Sequence, residues 1–332
     1  MKKRVLVLGG TGAMGIYLVP YLAEMGYDVT VVSLDDCEDK PGIRYLKGNA
    51  KDFDFLEELL AEHFDAIVDY MIYGTEEFRG YWERFLKNTD HYIFLSSYRV
   101  YADEDPVITE QSPRLLDVSK NTVYLESDDY SLFKAREEDI IRASAYSNWT
   151  IVRPSITYST RRFQLVTLEA NTLFRRAFAG KPVILPQAAV NVQGTMSWAG
   201  DVSRLMAKLV LNDGARQEAF TLSTSEHHTW GEIAKYYEEI MGLKVEWIDT
   251  DAYLDILGTS APYSGLRYQL EYDRLFNRVV DNSKVLRVTG MKQEEFTTLK
   301  QGLSLEFDKL LEELTWGSGD IAKRMEAFCR QK

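Results

Sequence analysis

A chain of 332 residues, 45% of them hydrophobic and 27% charged, is long enough to bury a large core, as one large domain or two smaller ones. Its formal net charge of -12 argues against nucleic acid as a partner. No stretch approaches the ~20 apolar residues that cross a membrane, so no membrane association and a cytoplasmic location are expected. Cys37 and Cys329 stand far apart without metal-ligand spacing, which disfavours a disulfide framework or a structural zinc.

The first predicted element is a strand at 5–8, a continuous Val-Leu-Val-Leu run of the kind buried in the middle of a parallel sheet. It leads into Gly9, Gly10, Thr11, Gly12, Ala13, Met14 and Gly15, and then into a helix at 16–25. Glycines at 9, 12 and 15 suit a dinucleotide turn. The first permits a tight turn, the second lets a pyrophosphate approach the backbone, and the third lets the helix lie on the strand with its N-terminus facing the anion. Glycine turns are common in α/β chains; the strand before it and the helix after it give this one weight.

A second strand at 27–33 ends in Ser33, Leu34, Asp35 and Asp36. An acidic group here bonds the adenosine ribose, whereas an arginine accommodates a 2′-phosphate. The next arginine is Arg44, so the pattern favours NAD over NADP, with Ser33 and Asp35 at the ribose. The alternative is that Asp35 and Asp36 only open a solvated loop at 35–42.

A strand at 43–46, a helix at 53–62, a strand at 66–70, a helix at 76–87 and a strand at 92–97 follow. This alternation predicts an α/β fold, a Rossmann-type doubly wound parallel sheet. A helix at 128–145 and a strand at 149–153, stopped by Pro154, continue it. Beyond lie a helical excursion at 161–180, a return to the sheet at 195–198, a last strand at 219–223, a helix at 230–241 and a strand at 245–248. Residues 1–155, rejoined by 190–225, are expected to form the dinucleotide-binding domain. Residues 156–189 and 226–332 are expected to form a smaller α+β substrate lobe over the carboxyl edge of the sheet.

Tyr130 and Lys134 fall on one helix face. A phenol titrates near ~10 and serves as a base at neutral pH only when a nearby cation favours the phenolate, which Lys134 would supply. Taken alone, the pair reads as helix surface. Ser97 ends the fifth strand, on the same edge as the Gly9 turn, where it could donate to the substrate oxygen that Tyr130 deprotonates. A serine at a strand end also reads as a cap. His227 and His228 have no third ligand at useful spacing and read as a loop, so no metal is expected.

With glycine turn, strand-end serine and Tyr-x-x-x-Lys in this order, the chain resembles the extended short-chain dehydrogenase/reductases, in particular the NAD-dependent epimerase/dehydratase family of nucleotide-sugar enzymes. Arg153, Pro154 and Tyr158, the segment from Trp198 to Val202, and Asp281 to Lys284 extend the resemblance. It implies a catalytic Ser97, Tyr130 and Lys134, a cofactor held along Gly9 to Gly15 and at Pro154, Tyr130 and Lys134, and Asn49 at the adenine, where the family usually has aspartate. It also implies a substrate site at Tyr98, Tyr158, Arg162, Trp198 and Arg274, whose arginines would hold a diphosphate, and a homodimer paired through the helices at 76–87 and 128–145.

Two departures stand out. Met71 and Ile72 replace the family's usual small residues, and Tyr98 and Arg99 replace the Asp-Glu pair with which the sugar 4,6-dehydratases eliminate water. The resemblance therefore points to epimerisation or net oxidoreduction of a sugar-like carbinol, not dehydration. Reduction of a non-nucleotide carbonyl compound and dinucleotide sensing without turnover are the competing readings.

Overall fold

The computed structural model describes residues 2–258 and 265–310. Seven strands form one parallel sheet: β1 (Arg4–Leu8), β2 (Asp28–Ser33), β3 (Ile43–Lys47), β4 (Phe64–Asp69), β5 (Thr89–Leu95), β6 (Trp149–Pro154) and β7 (Glu218–Leu222), in the order β7-β6-β5-β4-β1-β2-β3. The order reverses between β1 and β4. Connections leave toward opposite faces there and open a crevice at the carboxyl ends of the strands.

The apolar runs become central strands because both faces are covered. Val5 and Val7 pack with Leu18 and Leu22 of α1 (Gly15–Glu24), whereas Leu6 and Leu8 pack on the opposite face with Leu56 and Leu60 of α2 (Phe53–Leu60). All four β1 side chains are fully buried. The helix α3 (Tyr130–Arg142) precedes β6, and α4 (Ala199–Leu209) lies against α1. A third core, including Phe163, Phe174, Trp230, Tyr253 and Phe307, unites α5 (Trp230–Met241) and α6 (Leu299–Leu310) with short strands beyond β6.

Two expected helices differ. The segment 76–87 is split into Thr75–Phe78 and Trp82–Lys87. At the break the Phe53 ring seats against Gly80, where an added Cβ would come within 3.3 Å of it. The excursion at 161–180 begins instead as a hairpin, Gln164–Leu165 paired with Leu168–Glu169, and only Ala170–Phe178 is helical. Val166 turns that hairpin with φ +53°, a costly conformation for a β-branched residue. Its carbonyl accepts from Arg274 Nε at 2.7 Å, an anchor from a remote segment that holds it in place.

The glycine turn depends on two positions. Gly9 has φ +75°, and a Cβ on Gly15 would overlap the backbone of Gly10. A Cβ on Gly12 would meet only the Gly9 carbonyl, at 3.7 Å. Gly15→Ala should therefore cost ~1–3 kcal/mol, the range for overpacking, while Gly12→Ala leaves stability unchanged. Urea unfolding of both variants checks this, and equal midpoints would contradict the packing argument.

Candidate active site

At the carboxyl edge of the sheet lies a cleft of about 460 Å³. One wall is the glycine turn, with Gly9, Gly12, Ala13, Met14 and Gly15. The others are Ser97, Tyr98 and Arg99 after β5, Tyr130 at the start of α3, Pro154 to Thr157 after β6, and Arg162, Gln269 and Arg274 from the second lobe. No side chain caps the N-terminus of α1, so its positive dipole end is open to an anion. Gly12 is exposed and a side chain there would project into unfilled space. The residues present fit a dinucleotide pyrophosphate.

The cleft thus gathers Ser97, Tyr130, Tyr98, Arg162, Arg274 and Pro154 around the turn. Thr11 Oγ1 meets Ser33 Oγ at 2.7 Å, which joins the turn to the end of β2. Asp35 lies beside Ser33 on the exposed surface, its amide donating to Ser33 Oγ at 3.1 Å. Asn49 Oδ1 accepts from the Lys51 amide at 3.0 Å, a turn contact. Tyr158 and Trp198 do not line the cleft. Tyr158 is buried against Gly302, and Trp198 Nε1 donates to Glu306 Oε1 at 2.8 Å.

The start of α3 is set by Asp129, whose side chain accepts from the Ser131 amide at 3.1 Å. Ser97 also caps, its Oγ accepting from the Arg99 amide at 3.2 Å, yet it remains on the cleft wall. Lys134 is placed differently from Ser97 and Tyr130. Its side chain is 1% exposed and turns inward, Nζ donating to Glu137 Oε2 at 3.0 Å and lying 4.7 Å from the Phe94 ring centre. It is not part of the cleft lining.

Beneath the cleft Lys134 joins a buried acidic group. Asp69 accepts from Tyr92 Oη at 2.8 Å and from the Met71 amide at 2.9 Å. Burial, only partly offset by these bonds, pushes its carboxyl up to about 6. Burial likewise pushes Glu137 up to about 7, against the opposing pull of Lys134, and Glu137 Oε1 has no hydrogen-bond partner.

The opposite wall is cationic. Asp273, fully buried, bonds both Arg274 and Arg278, and burial pushes each guanidinium down to about 10. Arg99 lies with its guanidinium carbon 4.9 Å from the centre of the Tyr130 ring. Its place two residues after Ser97 is visible in the sequence, but its contact with Tyr130 and its neighbour Asp273 come from a remote segment and carry no sequence signal. Among the described residues no group of three or more His, Cys, Asp or Glu side chains could hold a metal ion, and no helix is long and apolar enough to cross a membrane.

This sheet order, glycine turn and second lobe define a Rossmann-type fold of the kind seen in solved epimerases. Residues 5–77 match the family model "NAD dependent epimerase/dehydratase family". An epimerase from Methanothermobacter thermautotrophicus superimposes with a TM-score of 0.73 at 16% identity, over 94% of this chain and 93% of that one. The UDP-glucose 4-epimerase of Thermus thermophilus, solved in complex with NAD, superimposes with 0.67 at 16% identity, over 94% of this chain and 100% of that one. Likeness at these identities is likeness of fold. A curated relative, the chloroplast stem-loop binding protein of 41 kDa b from Arabidopsis thaliana, is 26% identical over 250 residues, 70% of this chain. The chain spans 62% of that relative's length.

The buried carboxyl beneath the cleft gives a pH test. Because the folded-state pKa of Asp69 is raised, its contribution to stability is fully present below the unfolded value of 3.8 and is lost as pH rises to about 6. Asp69→Asn does not titrate. Its stability relative to the wild type should rise by up to ~3 kcal/mol between pH 3.5 and 6.5. Urea unfolding at several pH values measures this, and a pH-independent gap would mean that Asp69 titrates at the same pH in the folded and unfolded chain.

Proposed function

We propose that the chain is an NAD-dependent oxidoreductase or epimerase acting on a sugar-like carbinol, with a nucleotide sugar as the substrate class. The observation that carries this reading is that Ser97 and Tyr130 line one cleft together with the glycine turn, Arg162 and Arg274. A nucleotide-sugar enzyme among the similar folds, a UDP-glucose 4-epimerase solved with NAD, supports the substrate class. NAD, when bound, supplies the acceptor for the hydrogen lost from carbon.

In this reading Tyr130 takes the hydroxyl proton of the carbinol as its C–H bond is oxidised to a carbonyl, and returns it in the reverse step. Ser97 donates a hydrogen bond to the same oxygen. The backbone from Gly9 to Gly15 holds the pyrophosphate and Ser33 with Asp35 faces the ribose, so NAD binds more tightly than NADP. Lys134 reaches the nicotinamide ribose only by giving up Glu137, which then keeps no side-chain hydrogen bond among the described residues. Arg162 binds phosphate. The protein works in the cytoplasm as a homodimer, a state that light scattering tests.

Tyr130→Phe removes the proton carrier and keeps the ring, so turnover of an accepted nucleotide sugar should fall by ~10²–10⁴ while NAD affinity is retained. Near-normal turnover would leave Tyr130 as a wall residue and assign the proton transfer to another group. Titration with both cofactors is the companion measurement, and a preference for NADP would remove Asp35 from the ribose.

A second reading rests on the name of the curated relative, a stem-loop binding protein. Here the chain would bind RNA, against its net charge of -12. RNA binding carried by phosphate contacts weakens steeply with salt. A stem-loop RNA retained at ~1 μM and released by added salt would put this reading first.

A further inference from the structure

Among the described residues Arg99 has no hydrogen-bond acceptor for its side chain. Its side chain is 13% exposed, and its Nε is buried with no hydrogen-bond partner. Among the described residues the nearest carboxylate oxygens are those of Asp273 at 3.7 Å and Asp129 at 3.8 Å, beyond the ~2.7–2.9 Å of a charge-assisted hydrogen bond. Both are engaged elsewhere: Asp273 by Arg274 and Arg278, Asp129 by the amide and hydroxyl of Ser131.

The surroundings do not neutralise it. Three guanidinium groups, Arg99, Arg274 and Arg278, interact within this region with three carboxylates, Asp103, Asp129 and Asp273, and the charge of Arg162 bears on Arg274 as a fourth cation. A planar fork of donors, desolvated and unclaimed, costs free energy unless an acceptor fills it. Arg99 lines the same cleft as Ser97 and lies over the Tyr130 ring, so an acceptor bound there is a neighbour of the carbon at which Tyr130 would act.

We infer that Arg99 receives an oxyanion of the substrate, a carboxylate or a phosphate, held next to the reacting carbinol and separate from any diphosphate at Arg162. The inference rests on the cleft being the substrate site proposed above, and it narrows the substrate to an acidic sugar or a sugar phosphate. A guanidinium binds either oxyanion through two parallel hydrogen bonds, a geometry that lysine does not reproduce.

The full-length protein is titrated, by calorimetry and ligand-observed NMR, with D-glucuronate, D-glucose 6-phosphate and neutral D-glucose. The expected result is binding of at least one anion about tenfold or more above glucose, the order of one charge-assisted pair. The anion that binds identifies the source as carboxylate or phosphate. In Arg99→Met this preference should vanish, and in Arg99→Lys, which keeps charge and bulk should the first variant not fold, it should fall severalfold. No binding, no discrimination from glucose, or equal anion affinity in both variants overturns the inference. Turnover assays with NAD and a panel of nucleotide sugars separate it from the proposed function. If no nucleotide sugar is turned over while Arg99-dependent anion binding persists, the oxidoreductase reading fails and the oxyanion site stands.

Discussion

The position of the cleft walls depends on one buried ion pair. Glu138, near the middle of α3, faces Arg153 on β6, with Arg153 Nε donating to Glu138 Oε1 at 2.8 Å and a second parallel bond to Oε2. Ser96, at the end of β5, donates to the same carboxylate, and the Tyr101 hydroxyl lies 2.9 Å from Arg153. Burial alone would raise the Glu138 carboxyl, but the Arg153 guanidinium outweighs it and holds the group below its ordinary range. Such a pair is weak evidence for net stability, since desolvation offsets much of its attraction, and losing one partner strands a buried charge. Its effect here is positional. It fixes the helix that begins at Tyr130 against the strand end that carries Ser97, and because successive strand residues face opposite ways, the bond that draws Ser96 inward turns Ser97 toward the cleft.

Much of this arrangement is legible in the sequence, for physical reasons that differ by element. The strands are readable because a central parallel strand is apolar on both faces, so Val5 to Leu8 and Ile151 with Val152 stand out without periodicity. The glycine turn is readable because φ at Gly9 and the close approach at Gly15 leave no other residue comfortable. The helix expected across 76–87 and the excursion at 161–180 were set by tertiary contacts, the Phe53 ring on Gly80 and the Arg274 bond to Val166, which local pattern does not carry. Spacing places Tyr130 and Lys134 on one helix face, but it gives no depth. Whether the ammonium reaches the cleft or the interior is decided by Glu137, Phe94 and Asp69, two of them on other elements.

The cleft lies between two unlike electrostatic layers. Beneath it, Asp69 and Glu137 share a dry interior with a single ammonium, and their raised carboxyls mean that the layer binds protons readily near neutral pH. Above it, arginines outnumber their carboxylate partners. A group bound between them that carries negative charge toward the second lobe and develops positive charge toward the sheet meets a favourable field at both ends, and in a site of low dielectric such fixed charges act with little screening.

The arginines of the upper layer divide by what they already hold. Arg274 is spoken for: its guanidinium bonds the Val166 carbonyl, Gln164 Oε1 and Asp273. It thereby keeps the strained hairpin turn of the second lobe seated against the cleft, and removing it would release the wall before it removed a ligand contact. Arg278 is similarly committed to Asp273 and the Tyr101 carbonyl. Arg99 and Arg162 line the same cleft without a side-chain hydrogen bond among the described residues. Resemblance in sequence singles out Arg162 and Arg274 for a ligand, whereas the acceptors separate Arg274 and Arg278, which build the wall, from Arg99 and Arg162, which are left to face a ligand.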